Sequence, residues 1–150
     1  MTEPTAGTTP ILLAFSGGLD TSFCVPWLAE TYGRPVVTLT VNTGGIDDAT
    51  ARMLEQRSKT LGAVAHHLVD ARPAYFAQVI KFLIMGNVRR GNLYPLCVGA
   101  ERVLQAQTVA QWARKLGTDV VAHGSTAAGN DQVRFEVALR TLAPELEILA

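Results

Sequence analysis

The stretch from Ala14 to Ser22, AFSGGLDTS, most constrains what this chain can fold into. It overlaps a short apolar run at 11–15, which is typical of a parallel strand buried on both faces. A helical pattern follows, and we expect Asp20 and Thr21 to cap that helix. Two consecutive glycines at such a junction permit positive φ, and they let backbone N–H groups approach an anion at the helix N-terminus. The stretch therefore predicts a phosphate-binding turn between a strand and a helix.

A glycine pair between a strand and a helix also fits a capped turn that binds no ligand. The surrounding residues exclude several other functional loops. A Walker A loop needs a lysine before its Ser or Thr, and a dinucleotide fingerprint needs GxGxxG, so SGGLDTS matches neither. Leu19 and Asp20 also exclude the GxSxG turn of the α/β-hydrolases.

Beyond this stretch, apolar β-type runs alternate with helical patterns. We predict helices over 21–32, 47–61, 72–84, 101–116 and 131–143, and further strands over 35–41, 63–69, 119–122 and 145–150. Pro26 predicts a kink or a broken first turn in the first helix. The segment 86–98 has no clear period and predicts a long loop. The alternation predicts an α/β fold with a doubly wound five-stranded parallel sheet, which in the order 3-2-1-4-5 places the loops after strands one and four face to face.

Composition narrows the possible partners. Thirteen basic and thirteen acidic side chains cancel, so the charge gives no indication of a nucleic acid partner. No apolar run is long enough for a membrane span, and the first residues do not resemble a signal peptide. We therefore expect a cytoplasmic protein with a flexible arm at 1–9 and one domain at 10–150. His66 and His67 are adjacent and should point to opposite faces of a strand, so we predict no metal site there.

A second polar motif follows the fourth predicted strand, with the sequence HGSTAAGNDQVRF at 123–135. A helix-capping turn explains Asn130 or Asp131, but it does not explain the whole string. SGGLDTS resembles the PP-loop of the ATP pyrophosphatases, SGGxDS or SGGxDTS, and the second motif is similar to HGxTGxGNDQVRF of the argininosuccinate synthase family. Tyr94 also stands where that family has a tyrosine before a helix. On these motifs the chain is identified as a member of that family, with a Rossmann-like PP-loop domain.

The resemblance implies a ligase that uses ATP and Mg²⁺ to condense citrulline with aspartate through a citrullyl-AMP intermediate, a step of arginine biosynthesis. It also implies a homo-oligomer, which is a tetramer in the full-length family. The implied ATP site comprises Ala14, Phe15, Ser16, Gly17, Gly18, Leu19, Asp20, Thr21, Ser22, Val41 and Gly124. The implied substrate site comprises Thr126, Asn130 and Asp131 for aspartate, and Tyr94, Gly99, Asn130 and Arg134 for citrulline. The implied catalytic residues are Asp20, Asn130, Asp131 and Arg134.

The sequence departs from the family pattern at two positions. Gly99 stands where the family usually has a citrulline-binding serine, and Ala127 replaces a loop glycine. We also expect the family's C-terminal synthetase domain to be absent from these 150 residues. Two alternatives therefore stay open, a nucleotide-binding module without the complete reaction and a PP-loop enzyme that adenylates another acceptor, such as a tRNA base. The apolar face of the helix at 72–84, with Phe76, Ile80 and Leu83, is predicted to contact another domain or subunit.

Overall fold

A five-stranded parallel sheet forms the centre of the computed structural model, which describes residues 9–125 and 129–150 except for the side chains of Arg90, Pro95 and Asp131. The strands of this sheet are β1 (Ile11–Ala14), β2 (Val36–Asn42), β3 (Ala65–Asp70), β6 (Val120–His123) and β7 (Glu147–Leu149). Their spatial order is β3-β2-β1-β6-β7, and every neighbouring pair is parallel. This confirms the predicted fold class and strand order. In register, Ala14 at the end of β1 lies between Leu39 of β2 and His123 of β6, so the loops after β1 and β6 begin side by side.

Helices cover both faces of the sheet, because the central strands are apolar on both sides. On one face, α1 (Leu19–Tyr32) and α2 (Asp48–Thr60) pack on a core that includes Ile11 and Leu13. On the other face, α5 (Cys97–Leu116) and α6 (Asn130–Leu142) pack on a core that includes Leu12. Alternate residues of β1 thus serve opposite layers, as the two-residue period of a strand requires. None of the described helices is both long and apolar enough to cross a membrane.

The helix predicted over 72–84 is present but irregular. It consists of α3 (Arg72–Tyr75), a π-helical segment (Phe76–Ile80) and α4 (Lys81–Met85). The hydroxyl of Tyr75 donates to the Cys97 carbonyl at 2.9 Å and attaches the segment to α5. Val79 and Ile80 pack on a small core formed by Ala71, Tyr75 and Leu104. The exposed apolar side chains of the segment are Phe76, Phe82, Ile84 and Met85. The predicted contact with another domain or subunit remains a prediction.

The prediction of a long loop at 86–98 is wrong. Two short antiparallel strands, β4 (Arg89–Arg90) and β5 (Tyr94–Pro95), form a hairpin, and α5 begins at Cys97 rather than at residue 101. The chain reverses through Gly91 and Asn92, which both have left-handed backbones with φ of 60° and 58°. Strands of two residues are too short to show the alternation of apolar and polar residues that indicates a strand. Gly99 in the first turn of α5 interrupts the helical pattern, so the sequence did not indicate the start of that helix.

For α1, the predicted caps are wrong, and so is the predicted broken first turn. Asp20 and Thr21 do not cap the helix, because it begins at Leu19 with Gly18 as an N-cap that has no side-chain cap bond. The first turn is intact, with Ser22 N donating to Gly18 O at 3.0 Å, and the helix continues through Pro26 to Tyr32. The other predicted boundaries agree with the structure within two residues. Most of the predicted arm at 1–9 lies outside the described residues.

Candidate functional site

A cavity of about 650 Å³ opens at the carboxyl ends of β1, β2 and β6. Its apolar wall comes from β2, the loop that follows it, α2 and α5, and includes Leu39, Val41, Ile46, Leu54 and Val109. Its polar wall comes from the ends of β1 and β6 and the helices that follow, and includes Ser16, Asp20, Thr21, His123, Ser125 and Gln132. Among the described lining residues, Asp20 is the only carboxylate and Arg102 the only cationic side chain. The position agrees with the general location of ligands in open α/β sheets, at the carboxyl ends of the strands where the strand order reverses.

The turn between β1 and α1 depends on one of its two glycines more than on the other. Gly17 has φ of +74°, and a Cβ at this position would lie 2.2 Å from Leu54 Cδ2. Gly18 has an ordinary φ of −71°, and a Cβ there would meet only Ser16 Oγ, at 3.4 Å. Only Gly17 therefore requires glycine for conformational and steric reasons. The guanidinium of Arg57, from α2, donates to the Gly17 carbonyl and fixes this peptide, a contact that the sequence analysis did not find.

The N-terminus of α1 presents hydrogen-bond donors toward the cavity. The first acceptor within the helix is Gly18 O, which is bonded to Ser22 N. The N–H groups of Leu19, Asp20 and Thr21 therefore have no acceptor within the helix, and the N-cap residue Gly18 supplies no side-chain cap bond. Together with the helix dipole they favour an anion.

Several hydroxyl groups and one exposed side chain also lie at the turn between β1 and α1. Ser16 Oγ accepts from Gly18 N at 3.3 Å and lies 3.2 Å from Thr21 Oγ1. The Ser22 hydroxyl is buried, without a hydrogen-bond partner among the described residues. Leu19 is 86% exposed and is not among the described residues that line the cavity.

The loop after β6 packs directly on the first turn of α1. A Cβ on Gly124 would lie 2.9 Å from Thr21 Cγ2 and 3.2 Å from Thr21 N. The two loops that carry the sequence motifs are therefore in contact, as the predicted strand order required. On the opposite side, Thr43 Oγ1 donates to Glu101 Oε1 at 2.5 Å and joins the loop after β2 to α5.

His123, the last residue of β6, lies in the cavity wall with only 3% of its side chain exposed. Its Nδ1 accepts from Ser125 N at 3.3 Å, and its ring meets Phe135 edge to face. Burial lowers the pKa of His123 below its ordinary value of 6.5, and the opposing effect of Glu136 is smaller. The side chain is therefore neutral at pH 7, and it joins the polar wall as a hydrogen-bonding group.

The residues predicted to bind nucleotide lie in or beside this cavity. Its described wall includes these members of the predicted set: Ala14, Phe15, Ser16, Asp20, Thr21, Val41 and Gly124.

The residues predicted to bind the two substrates are less concentrated. Gly99 and Arg134 are brought together, because a Cβ on Gly99 would lie 3.7 Å from Cζ of the Arg134 guanidinium. Tyr94 and Asn130 are exposed, and within the described part of the chain neither lines the cavity. Thr126 and Ala127 lie outside the described residues, as does the side chain of Asp131.

Comparisons with known proteins agree with this architecture. The family model described as "Arginosuccinate synthase N-terminal HUP domain" matches residues 10–150. An argininosuccinate synthase of Pyrobaculum aerophilum is 45% identical over 144 residues, which are 96% of this chain and 36% of that protein. One of Xanthomonas axonopodis pv. citri is 44% identical over 138 residues, which are 92% of this chain and 33% of that protein. The chain thus spans about a third of the length of these relatives.

Solved structures with much lower identity share the fold. A predicted subunit of tRNA methyltransferase from Methanocaldococcus jannaschii has a TM-score of 0.60 at 17% identity, over 95% of this chain and 67% of the other. The NMN synthetase of Francisella tularensis has a TM-score of 0.58 at 17% identity, over 79% of this chain and 46% of the other. The two sequence motifs flank one cavity, and the family match covers residues 10–150. The chain therefore belongs to the argininosuccinate synthase family, in which it corresponds to the N-terminal HUP domain.

Proposed function

We propose that this domain binds ATP in the cavity at the carboxyl ends of β1, β2 and β6, with the polyphosphate at the N-terminus of α1. The observation that carries this proposal is the uncapped first turn of α1, whose N–H groups have no acceptor within the helix. The turn before this helix supports it, because Gly17 has the left-handed backbone that anion-binding turns use and Ser16 Oγ, which accepts from Gly18 N, adds a hydroxyl beside the helix N-terminus. The apolar wall, with Leu39 and Val41, fits a planar adenine ring.

The reaction that we propose for the family's complete enzyme is the ATP-dependent condensation of citrulline with aspartate. The ureido oxygen of citrulline attacks the α-phosphorus and pyrophosphate leaves, and the amine of aspartate then displaces AMP. The residues of this domain contribute by positioning and charge stabilisation, since the donors of α1 can hold the negative charge of the phosphates.

Mg²⁺ fits the same site on the chemistry of its donors. This ion usually takes phosphate oxygens together with one or two carboxylates, and Asp20 is the only carboxylate among the described lining residues. We propose that Asp20 holds the Mg²⁺ that accompanies ATP. Bound there, Mg²⁺ would partly neutralise the charge of the phosphates.

For the substrates, we propose that Thr126, Asn130 and Asp131 contact aspartate, and that Tyr94, Asn130 and Arg134 contact citrulline. The contact between Gly99 and Arg134 supports a shared substrate region at the first turn of α5. Gly99 lacks the hydroxyl that a serine would offer, and this favours a second candidate, a nucleotide-binding module without the complete reaction. We propose a cytoplasmic location. We also propose a homo-oligomeric assembly, and the exposed side chains of Phe76 and Phe82 support the assembly.

The test separates binding from turnover. Isothermal titration with Mg-ATP, Mg-ADP and AMP should give affinities that fall in that order, because each lost phosphate removes contacts to α1. Gly18→Val should weaken Mg-ATP binding at least tenfold and leave the fold intact, because φ at Gly18 is ordinary and the added methyl groups would cover the helix N-terminus. Equal affinity of the two proteins, or no binding of Mg-ATP, would refute the proposed phosphate position.

Pyrophosphate release is then measured with citrulline and aspartate, added separately and together. We expect ATP binding by the 150-residue chain without citrulline-dependent pyrophosphate release, and release when a full-length relative is used in its place. Turnover by the 150-residue chain at the rate of the full-length relative would contradict this division of functions.

A further inference from the structure

Two buried polar atoms in the cavity wall have no hydrogen-bond partner among the described residues. They are His123 Nε2, at the end of β6, and Gln132 Oε1, in the first turns of α6. Both residues line the cavity. Because buried polar atoms in folded proteins are nearly always paired, this pair of atoms points to a group that enters from the cavity.

The surrounding hydrogen bonds assign one donor and one acceptor to this pair. Ser125 N donates to His123 Nδ1, so the proton of the neutral ring is on Nε2. Gln132 Nε2 donates to Glu136 Oε1 at 2.8 Å, so the amide oxygen of Gln132 is the atom left without a partner. The wall therefore offers an N–H from His123 and a carbonyl oxygen from Gln132.

The carboxylate of Glu136 does not accept a hydrogen bond from His123 Nε2. The distance from His123 Nε2 to Glu136 Oε1 is 3.8 Å, which is too long for a hydrogen bond. The same carboxylate oxygen already accepts from Gln132, and the other oxygen faces Arg140 at 3.5 Å. A direct contact would require Glu136 or the imidazole ring to shift.

We propose that His123 Nε2 and Gln132 Oε1 form a polar subsite for a neutral ligand group that both accepts and donates a hydrogen bond. The subsite rests on the proposed function, since it lies in the same cavity. A fully ionised phosphate has no hydrogen for Gln132, and an ammonium has no acceptor for His123. Two groups of the proposed ligands have the required chemistry, a ribose hydroxyl of the nucleotide and the ureido group of the acceptor substrate.

Two substitutions of His123 form a matched pair for the test. Asparagine can place an acceptor at the position of Nδ1, so His123→Asn keeps the bond from Ser125 N and removes the donor at Nε2. Glutamine can place an N–H near the position of Nε2, so His123→Gln keeps that donor. Each protein is titrated with Mg-ATP and with its 2′-deoxy and 3′-deoxy analogues, and citrulline binding is followed by NMR at the side-chain amide of Gln132.

The two ligand sources give different results. If a ribose hydroxyl occupies the subsite, the wild type binds one deoxy analogue about 2- to 10-fold more weakly than ATP, as for one hydrogen bond. His123→Asn then loses this preference and His123→Gln keeps it. If the ureido group occupies the subsite, nucleotide preferences are equal in all three proteins, and the shift of the Gln132 amide with citrulline is present in wild type and His123→Gln only.

The proposal is overturned if His123→Asn and His123→Gln behave alike toward both nucleotides and citrulline, or if NMR of the protein saturated with Mg-ATP and citrulline still shows Nε2–H bonded to Glu136 or to water alone. Gln132→Met is a second variant in case His123→Asn fails to fold. Because it removes the acceptor, it should lose the preference between ATP and its deoxy analogue, or bind citrulline more weakly in a calorimetric titration. Absence of any ATP binding would instead refute the proposed function. The two failures are therefore distinguishable.

Discussion

Gly124→Ala tests the contact between the two motif loops. The added Cβ would lie 2.9 Å from Thr21 Cγ2 and 3.2 Å from Thr21 N. Rotation of Thr21 would relieve the first contact, but it would move Thr21 Oγ1 away from Ser16 Oγ and Gly18 O, which are 3.2 and 3.4 Å distant. Rotation does not relieve the contact with the backbone nitrogen, so the loop after β6 must also move. Overpacking of this kind typically costs about 1–3 kcal/mol.

The same displacement should weaken nucleotide binding, because it separates Gly124 from the helix N-terminus at which we propose that the phosphates bind. A loss of about 2 kcal/mol corresponds to a roughly 30-fold increase in Kd for Mg-ATP. With a urea m-value of about 2 kcal/mol/M, the same free energy lowers the midpoint of unfolding by about 1 M. Isothermal titration and urea unfolding measure the two effects.

Gly45→Ala is the matched control. Gly45 lines the same cavity, but a Cβ there would have no neighbour within 4 Å, and its φ is not left-handed. The free energy of unfolding should therefore change by less than about 1 kcal/mol, and the affinity for Mg-ATP should change little. If Gly124→Ala is as stable as Gly45→Ala and binds Mg-ATP as tightly, the close packing of the two loops does not support the site.

Three further results are expected. Gly17→Ala should destabilise the fold by about 3 kcal/mol, because Gly17 has a left-handed backbone and an added Cβ would clash with Leu54. Gly18→Ala should cost less than about 1 kcal/mol, since Gly18 has an ordinary φ, and equal urea midpoints of the two variants would contradict this. Arg57→Met should weaken Mg-ATP binding several-fold in a calorimetric titration, because the Gly17 carbonyl loses its charged donor; unchanged affinity would show that the turn holds its shape without it. Burial lowers the pKa of His66 and of His123 below 6.5 in the folded state, so the unfolded chain binds more protons than the folded chain as the pH falls. The free energy of unfolding should therefore fall from pH 7.5 to pH 5.5, by at most about 1.4 kcal/mol per pH unit for each histidine. A flat urea-unfolding profile over this range would contradict the prediction.

The fold was largely predictable because its signals are local and periodic. The β-branched run at 35–41 and the apolar run at 11–15 have the composition of strands buried on both faces, and the structure contains them within one residue. The glycines at 33 and 117 mark the ends of α1 and α5, where both have left-handed backbones. Parallel strands joined by helices then leave few topologies, and the observed strand order is one of them.

The candidate site was predictable only where it depends on backbone geometry. The glycine turn and the facing loops were predicted, but the contact of Arg57 with Gly17 joins residues 40 positions apart and has no local signal. His123 and Gln132 were noted only as letters of a motif, since their buried, unpartnered atoms become visible only when β6 and α6 are placed against the cavity. The capping roles given to Asp20 and Thr21 are wrong because the helix starts earlier, at Leu19, with Gly18 as its N-cap.

The position of β1 in the middle of the sheet affects how the chain is made. Leu12 pairs with Val37 on one side but with Val121 on the other, so its second neighbour is synthesised about a hundred residues later. At a ribosomal rate of roughly 5–20 residues per second, this interval is on the order of 5–20 s. During that time the apolar strand that leads into the glycine turn has one open edge, with unpaired N–H and C=O groups that can pair with other chains. The segment on which the site depends is thus open to mispairing while each new molecule is made.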